Sequence, residues 1–399
     1  MLSVSHSGKG LIIDSLIGIP RREIPGISRR AALGGLTSLF VLGATRAKAD
    51  PPAVDLATYT AGTTVPGMSA IVIRNFLPEP ELVTGIRRIG RPARCRPGER
   101  WHLGSNGKVM TATLIARLVE HGNLHWTTPL DRMLPQLAAS MHPSYRDVTL
   151  PDLLSHRSGL PENHSDTAFF NSFYADRAPL TAQRLRYVGS ALAEPPVVAK
   201  RGEMSYSNTG LLIAAACAEH ATGRPFETLI RAELFRPLGM ASPSFDQFGG
   251  PNEPSGHIDG RPADRERDPN PRMFAPAGAM RMTLPDWSRF CVAHMQGEHG
   301  RGRLLRAETW RFLHAGQGGT RSALGWGAAP SPMGLRGPAL THAGSDGNWF
   351  ALVLLFPETG NGALVVANAG ETMGGDHAAS AAIHAMGMTM AQPAPVATP

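Results

Sequence analysis

Lysine is almost absent from this chain. Of 39 basic residues only four are lysine (Lys9, Lys48, Lys108 and Lys200) and the rest are arginine. Arginine stays protonated at any ordinary pH, whereas a buried lysine can release its proton and act as a base. A retained lysine therefore marks a place where charge alone does not suffice. Cysteine is scarce as well: Cys95, Cys217 and Cys291 lack metal-type spacing, and an odd count leaves at least one thiol unpaired. Cys217, inside LLIAAACAEH, reads as a small buried residue. No apolar run approaches the ~20 residues that a membrane span requires. Aromatics make up only 6% of the chain, and no basic stripe is interleaved with them. Nucleic-acid binding is therefore not expected.

What is present fits a globular protein. The 399 residues are 42% hydrophobic and 18% charged, enough for a sizeable core. The formal charge of +7 is uneven. Residues 1–49 hold seven basic groups against two acidic ones, a surplus of five, which leaves +2 for the remainder. Within that stretch Arg29-Arg30 precedes the soft apolar run AALGGLTSLFVLGAT, followed by Ala47-Lys48-Ala49. Paired arginines, a short apolar segment and a small-x-small site read as a twin-arginine export signal over 1–49, giving a periplasmic or secreted protein. No cysteine follows the run, so no lipid anchor is suggested, and no stable membrane anchor is expected after cleavage.

Residues 68–75 and 82–90 are rich in β-branched residues and read as a strand pair. Residues 105–121 read as a helix stopped by Gly122. Thr149 opens a short helix with Asp152 as capping-box acid, and Thr283 opens another with Asp286. Residues 208–222 and 225–238 form two further helices, and residues 241–277 a long irregular connection. ALGWGAA, NWFALVLLF and GALVVANA read as strands, the last two joined by a turn over 357–362. Residues 376–388 are helical. This order places 50–135 and 275–390 in one lobe with an antiparallel sheet and 136–274 in a mainly helical lobe. Residues 391–399 are a loose tail. The fold class is α+β.

Three segments carry chemistry. In Gly104-Ser105-Asn106-Gly107-Lys108, a serine and a lysine one turn apart share a helix face. A serine hydroxyl needs a base, and a desolvated lysine can serve; the helix N-terminus adds N–H groups for a developing oxyanion. No other lysine has a serine three positions before it. Tyr206-Ser207-Asn208 holds the one tyrosine followed by x-Asn, able to relay a proton beside an amide that can hydrogen-bond substrate. His342-Ala343-Gly344 is a glycine-containing edge that a carbonyl can approach closely.

Taken in order with WHLGSNGKVMTATLIARLVEHGNL, LLSHRSGLPEN and AGAMRMTLPDWSRF, these segments resemble the serine hydrolases related to class C β-lactamases and penicillin-binding proteins. The resemblance runs from about residue 65 to about residue 385. It implies a β-lactamase/D,D-peptidase-like fold and an acyl-enzyme mechanism. Ser105 would be the nucleophile, with Lys108 and Tyr206 activating it. Asn208 would position Lys108 and substrate, and the N–H groups of Ser105 and Ser345 would form the oxyanion hole beside Gly344. Two departures stand out. Asn106-Gly107 replaces the commoner x-Thr, and His342 stands where the lactamases usually carry a lysine that holds the substrate carboxylate. An imidazole with a reference pKa near ~6.5 is a weaker cation at neutral pH. This favours an esterase or amidohydrolase acting on a small-molecule ester, amide or peptide. A D,D-carboxypeptidase or β-lactamase remains one alternative, and a non-catalytic binder of cell-wall fragments another.

Singly, each residue has a plainer reading. Ser105 would suit a helix cap, Lys108 a surface charge, Tyr206 core packing, Asn208 a cap, and His342 a satisfied polar side chain. His156 and Arg157 brace a turn. His121 and His125 are interrupted by Gly122 and lack a third ligand, so no metal is expected, and no cofactor is called for. Residue 103 is Leu, so the G-x-S-x-G of an α/β-hydrolase is missing around Ser105.

Overall fold

The computed structural model describes residues 54–198, 201–264, 270–330 and 337–390. The export signal, Lys200 and the tail lie outside the described residues.

The sheet draws its strands from both ends of the chain. β1 (Gly67–Arg74), β2 (Leu77–Pro78) and β3 (Leu82–Gly85) come early; β8 (Gly327–Ala329), β9 (Ala339–Ser345), β10 (Phe350–Phe356) and β11 (Asn361–Ala367) come late. They form one seven-stranded sheet in the order β2-β1-β11-β10-β9-β8, with β3 also on β1. Every pairing is antiparallel, with Met68 opposite Ala367 and Val353 opposite His342. Between the two groups lie β4 (Arg100–His102), the small hairpin β5 (His257–Ile258) and β6 (Arg261–Pro262), and β7 (Arg281–Thr283), which pairs with β4.

Both faces of the sheet are covered. Successive side chains of a strand point to opposite faces. Ile71, Ile73, Val353, Leu355, Leu364 and Val366 join the larger core, while Met68, Ala70, Leu352, Leu354 and Val365 join the smaller one. This explains why β10 and β11 read as unbroken apolar runs rather than as alternation. The larger core is roofed by α1 (Gly107–Glu120), α2 (Leu150–Leu154), α3 (Thr167–Ala175), α4 (Leu180–Ala191), α5 (Asn208–Thr222), α6 (Leu284–Glu298) and α7 (Ala307–His314). The smaller core is closed by α8 (Gly375–Thr389) through Ala378, Ala379, Ala382, Ile383 and Met386.

α1 is buried on nearly every side, from Gly107 through Ala116 and at Leu118, so it runs through the core rather than over it. The expected helix over 105–121 divides: a 3-10 turn over Gly104–Asn106 leads into α1, and Gly122 beyond its end has φ +77°. In α2 the Asp152 carboxylate accepts from both the Thr149 N–H (3.0 Å) and its hydroxyl (2.8 Å). The cap of α5 is Ser207, whose hydroxyl accepts from Gly210 N at 3.1 Å; Asn208 is the first helical residue instead. Thr283 caps α6 by accepting from Asp286 N, but the Asp286 carboxylate is taken by Ser242, from its N–H at 2.7 Å and its hydroxyl at 2.6 Å. The expected helix over 225–238 is an α-turn at Phe226–Ile230 running into a π-turn at Arg231–Phe235. ALGWGAA contributes only three strand residues, whereas the segment around His342, expected as a glycine-rich edge, lies within the full strand β9. The three cysteines are buried and unbridged.

No helix among the described residues is long and apolar enough to cross a membrane.

Candidate active site

The first turn of α1, the loop before α5 and strand β9 meet at Ser105. Lys108 is fully buried, and its Nζ lies 2.9 Å from Ser105 Oγ and 2.6 Å from the Ala277 carbonyl. The one-turn spacing in the sequence places the amine over the hydroxyl, and Ala277 fixes its direction. The Tyr206 hydroxyl donates to the same Oγ at 2.8 Å from a position 101 residues away, while Lys108 Nζ stands 4.9 Å from the centre of the Tyr206 ring. Burial pushes the Tyr206 phenol above the usual tyrosine range; the bond to Ser105 pulls the other way and Glu162 adds to the rise. Tyr206 is thus held neutral, its hydroxyl donating a hydrogen bond to Ser105.

Two glycines bring the backbone amides together. Gly104 has φ +51°, and a Cβ there would meet Ser345 N at 2.4 Å. A Cβ on Gly344 would meet Leu103 O at 2.1 Å and Ser105 N at 2.7 Å. Only side-chain-free residues allow this approach of turn and strand. It brings the backbone amides of Ser105 and Ser345 close to each other where turn and strand meet. Asn106 locks the arrangement by donating from Nδ2 to Leu103 O (3.0 Å) and to Ala351 O of β10 (3.2 Å). At Gly107 a Cβ would lie 2.8 Å from Met280 Cε, the end of a flexible side chain that can move aside, so the contact alone does not require the glycine.

His342 is buried in β9, two residues before Gly344 and on the same face, toward the turn that holds Ser105. The Ser345 side chain points the other way, where its hydroxyl donates to Glu371 Oε2 at 2.9 Å and accepts from Gly347 N at 3.0 Å. Its backbone alone faces Ser105. Asn208 donates from Nδ2 to Asn163 Oδ1 at 3.0 Å, and its own N–H caps onto the Glu162 carbonyl at 2.9 Å. Asn163 carries no signal of its own in the sequence beyond ending the segment LLSHRSGLPEN. His156, read as a turn brace, packs against Tyr206 with ring centroids 4.6 Å apart. His102, in β4, accepts from Gly104 N through Nδ1 at 3.1 Å. That bond makes Nδ1 an acceptor, so the approach of Asp346 Oδ2 to the same nitrogen at 3.5 Å is not a hydrogen bond. Burial keeps His102 below the usual histidine range in spite of Asp346. Among the described residues no group of three or more His, Cys, Asp or Glu side chains is placed to hold a metal ion.

A buried amine and a phenol converging on one serine oxygen, beside two facing amides, can run nucleophilic acyl transfer. A protein-family model described as Beta-lactamase matches residues 55–386. Penicillin-binding protein 4 of Amycolatopsis lactamdurans is 27% identical over 317 residues, 73% of this chain and 77% of that one. The D-alanyl-D-alanine-carboxypeptidase/endopeptidase AmpH of Escherichia coli strain K12 is 28% identical over 149 residues, 36% of this chain and 37% of its own length. The solved structure of D-alanine carboxypeptidase AmpC from Burkholderia cenocepacia superposes with a TM-score of 0.65 at 20% identity, covering 84% of this chain and 97% of that one. This last likeness bears on the fold.

Proposed function

The chain belongs to the Beta-lactamase family and is a serine hydrolase, and from that premise we propose that it is an exported enzyme hydrolysing an ester or amide through an acyl-enzyme on Ser105. One observation carries this reading: Lys108 Nζ and Tyr206 OH converge on Ser105 Oγ at 2.9 and 2.8 Å. Ser105 Oγ attacks the carbonyl carbon as its proton passes to the Lys108 amine. The oxyanion sits between the N–H groups of Ser105 and Ser345. Tyr206 hands its proton to the leaving group and regains one through Lys108. Water then attacks the acyl-enzyme, the acyl group departs as a carboxylic acid, and Ser105 Oγ is reprotonated. Asn208, tied to Asn163, serves as an amide that can hydrogen-bond the substrate. His342 lines the same face where lactamases usually present a lysine, so substrates need not carry a carboxylate. Residues 1–49 serve as the twin-arginine signal that delivers the enzyme outside the cytoplasm.

The names of the relatives favour a second reading, hydrolysis of D,D-peptides or their β-lactam mimics. One experiment addresses both. A fluorophosphonate and a β-lactam are each offered to the protein and the adduct is mapped by mass spectrometry. Short-chain esters, a D-alanyl-D-alanine peptide and a chromogenic cephalosporin are then compared as substrates. We expect a fluorophosphonate adduct on Ser105 that is lost in Ser105→Ala, and turnover highest on esters. A folded protein that neither reagent labels at Ser105 would rule out the enzyme reading; peptide or cephalosporin turnover above ester turnover would select the second.

A further inference from the structure

His156 sits in a conformation that ordinary side chains avoid. Its φ is +60°, in the left-handed region, just after α2. Such a residue costs free energy unless its surroundings impose it, and persists where it serves a purpose. Its surroundings are three consecutive residues of the loop before α5. The His156 carbonyl accepts from Ser205 N at 2.8 Å. Its Nδ1 accepts from Ser207 N at 3.1 Å. Its ring lies against the Tyr206 ring at a centroid distance of 4.6 Å and an interplanar angle of 35°. The residues on either side of Tyr206 are thus pinned by backbone bonds to the same histidine that packs against the phenol. Beyond it, Arg157 repeats the hold: its carbonyl accepts from Gly202 N at 3.1 Å, and its Nε donates to Gly202 O at 2.9 Å.

We propose that His156 is a positioning residue for the reaction: it aims the Tyr206 hydroxyl at Ser105 and acts on the chemistry only through Tyr206. The inference rests on the reading of Tyr206 as proton donor. Three features argue for histidine rather than another residue. The side chain must offer an acceptor at the δ position, must present a flat face, and must tolerate positive φ. Phenylalanine lacks the first and asparagine the second. Because Nδ1 accepts a backbone N–H, the ring proton belongs on Nε2 and the imidazole is neutral. Burial, aided by Lys108, pushes His156 down to about 3, so the ring keeps this form over the whole range in which a hydrolase is assayed. It is 5% exposed, which leaves the position as a strut and not as a second acid or base at the substrate.

The test is a double-mutant cycle on a short-chain p-nitrophenyl ester, with kcat and KM measured separately and folding followed by circular dichroism. The variants are His156→Ala, His156→Asn, Tyr206→Phe, and each His156 variant combined with Tyr206→Phe. His156→Ala should lower kcat by about 10- to 100-fold and leave KM within about threefold. His156→Asn places Oδ1 where Nδ1 stood and accepts positive φ, so it should recover at least half of that loss on a logarithmic scale. On a Tyr206→Phe background neither His156 variant should slow the enzyme further. If the losses multiply, or if folded His156→Ala keeps kcat within about twofold of the parent protein, the proposal is overturned. Should His156→Ala fail to fold, the His156→Asn cycle decides by the same criterion. A Tyr206→Phe protein with normal rates would remove the proton-donor reading itself, and this inference with it; multiplying losses on a slow Tyr206→Phe background would remove this inference alone.

Discussion

Gly104 and Gly344 face each other so closely that neither position admits a side chain: a Cβ on the first would lie 2.4 Å from Ser345 N, and a Cβ on the second 2.7 Å from Ser105 N. Gly344→Ala must therefore push β9 away from the turn that holds Ser105 and separate the two amides that the proposed mechanism uses. Loss of one oxyanion donor costs roughly 10²–10³ in turnover. We expect an acylation rate lower by about that factor, measured by stopped-flow with an activated ester, with a thermal midpoint only a few degrees lower. An acylation rate within threefold of the parent would show that the two amides do not act together.

Lys108 tests whether charge or proton transfer matters. Lys108→Arg puts a permanent cation, which does not deprotonate in proteins, in place of an amine that can. Acylation should fall by about 10²–10⁴, the range for a lost general base. Because Lys108 is fully buried, the variant's thermal unfolding is compared with that of Lys108→Met, which fills similar space. Near-normal acylation by a folded Lys108→Arg would mean that a cation suffices.

Stability should fall on acidification before the carboxylates titrate. Burial holds His102, His156, His257 and His294 below the usual histidine range. Each stays neutral in the fold but takes up a proton near pH ~6.5 once unfolded. The unfolded chain thus binds more protons below that pH, so stability is fully present above it and declines as pH drops. Each histidine adds a slope of up to about 1.4 kcal/mol per pH unit; for His156 the window runs down to about 3. Glu81, raised by burial, works in the opposite sense just above its ordinary value, one group against four. Thermal midpoints recorded at pH 7.5, 6.5 and 5.5 should decrease in that order, and His294→Gln should flatten the trend. A midpoint that holds or rises toward pH 5.5 would contradict the assignment.

Arg184 is fully buried in α4 and reaches two carboxylates and a carbonyl. Its Nε donates to Glu219 Oε1 at 3.1 Å, and its Nη1 donates to Glu227 Oε1 at 2.9 Å and to Met273 O at 3.2 Å. Arg184→Met strands the buried Glu219 without its cation, and breaking such a set from one side costs about 3–5 kcal/mol. Urea unfolding should show a loss of that size. A loss below about 1 kcal/mol would mean that Glu219 does not depend on Arg184 for its place in the fold.

Local spacing is the legible part of this site. Ser105 and Lys108 lie one helical turn apart, and the glycines beside them flag close backbone approach, so both can be read from a few residues. Strands β10 and β11 are legible because burial on both faces makes them continuously apolar. Other parts depend on partners distant in sequence. Asp286 has the spacing of an acid in its own capping box, but Ser242, 44 residues earlier, holds its carboxylate. Asn208 has the residue type of a cap, yet Ser207 has the extended φ and the hydroxyl that the role requires. Strand β9 escapes a reading by pattern because Thr341, His342 and Gly344 break its apolar run, the last two on the face toward Ser105. The grip of His156 on residues 205–207 leaves no trace in local spacing, since it depends on how two distant loops pack.

The Asn106 bond to Ala351 spans 245 positions, and β1 closes onto β11 from the far end of the fold. Ser105, Lys108 and Tyr206 all precede β9, the strand that carries Ser345. A nascent chain that has emerged only as far as α7 would hold these three residues and lack the strand that carries Ser345. Contacts of such long sequence separation form late and slowly. Under the proposed mechanism, competence to acylate waits for the last strands to join the sheet.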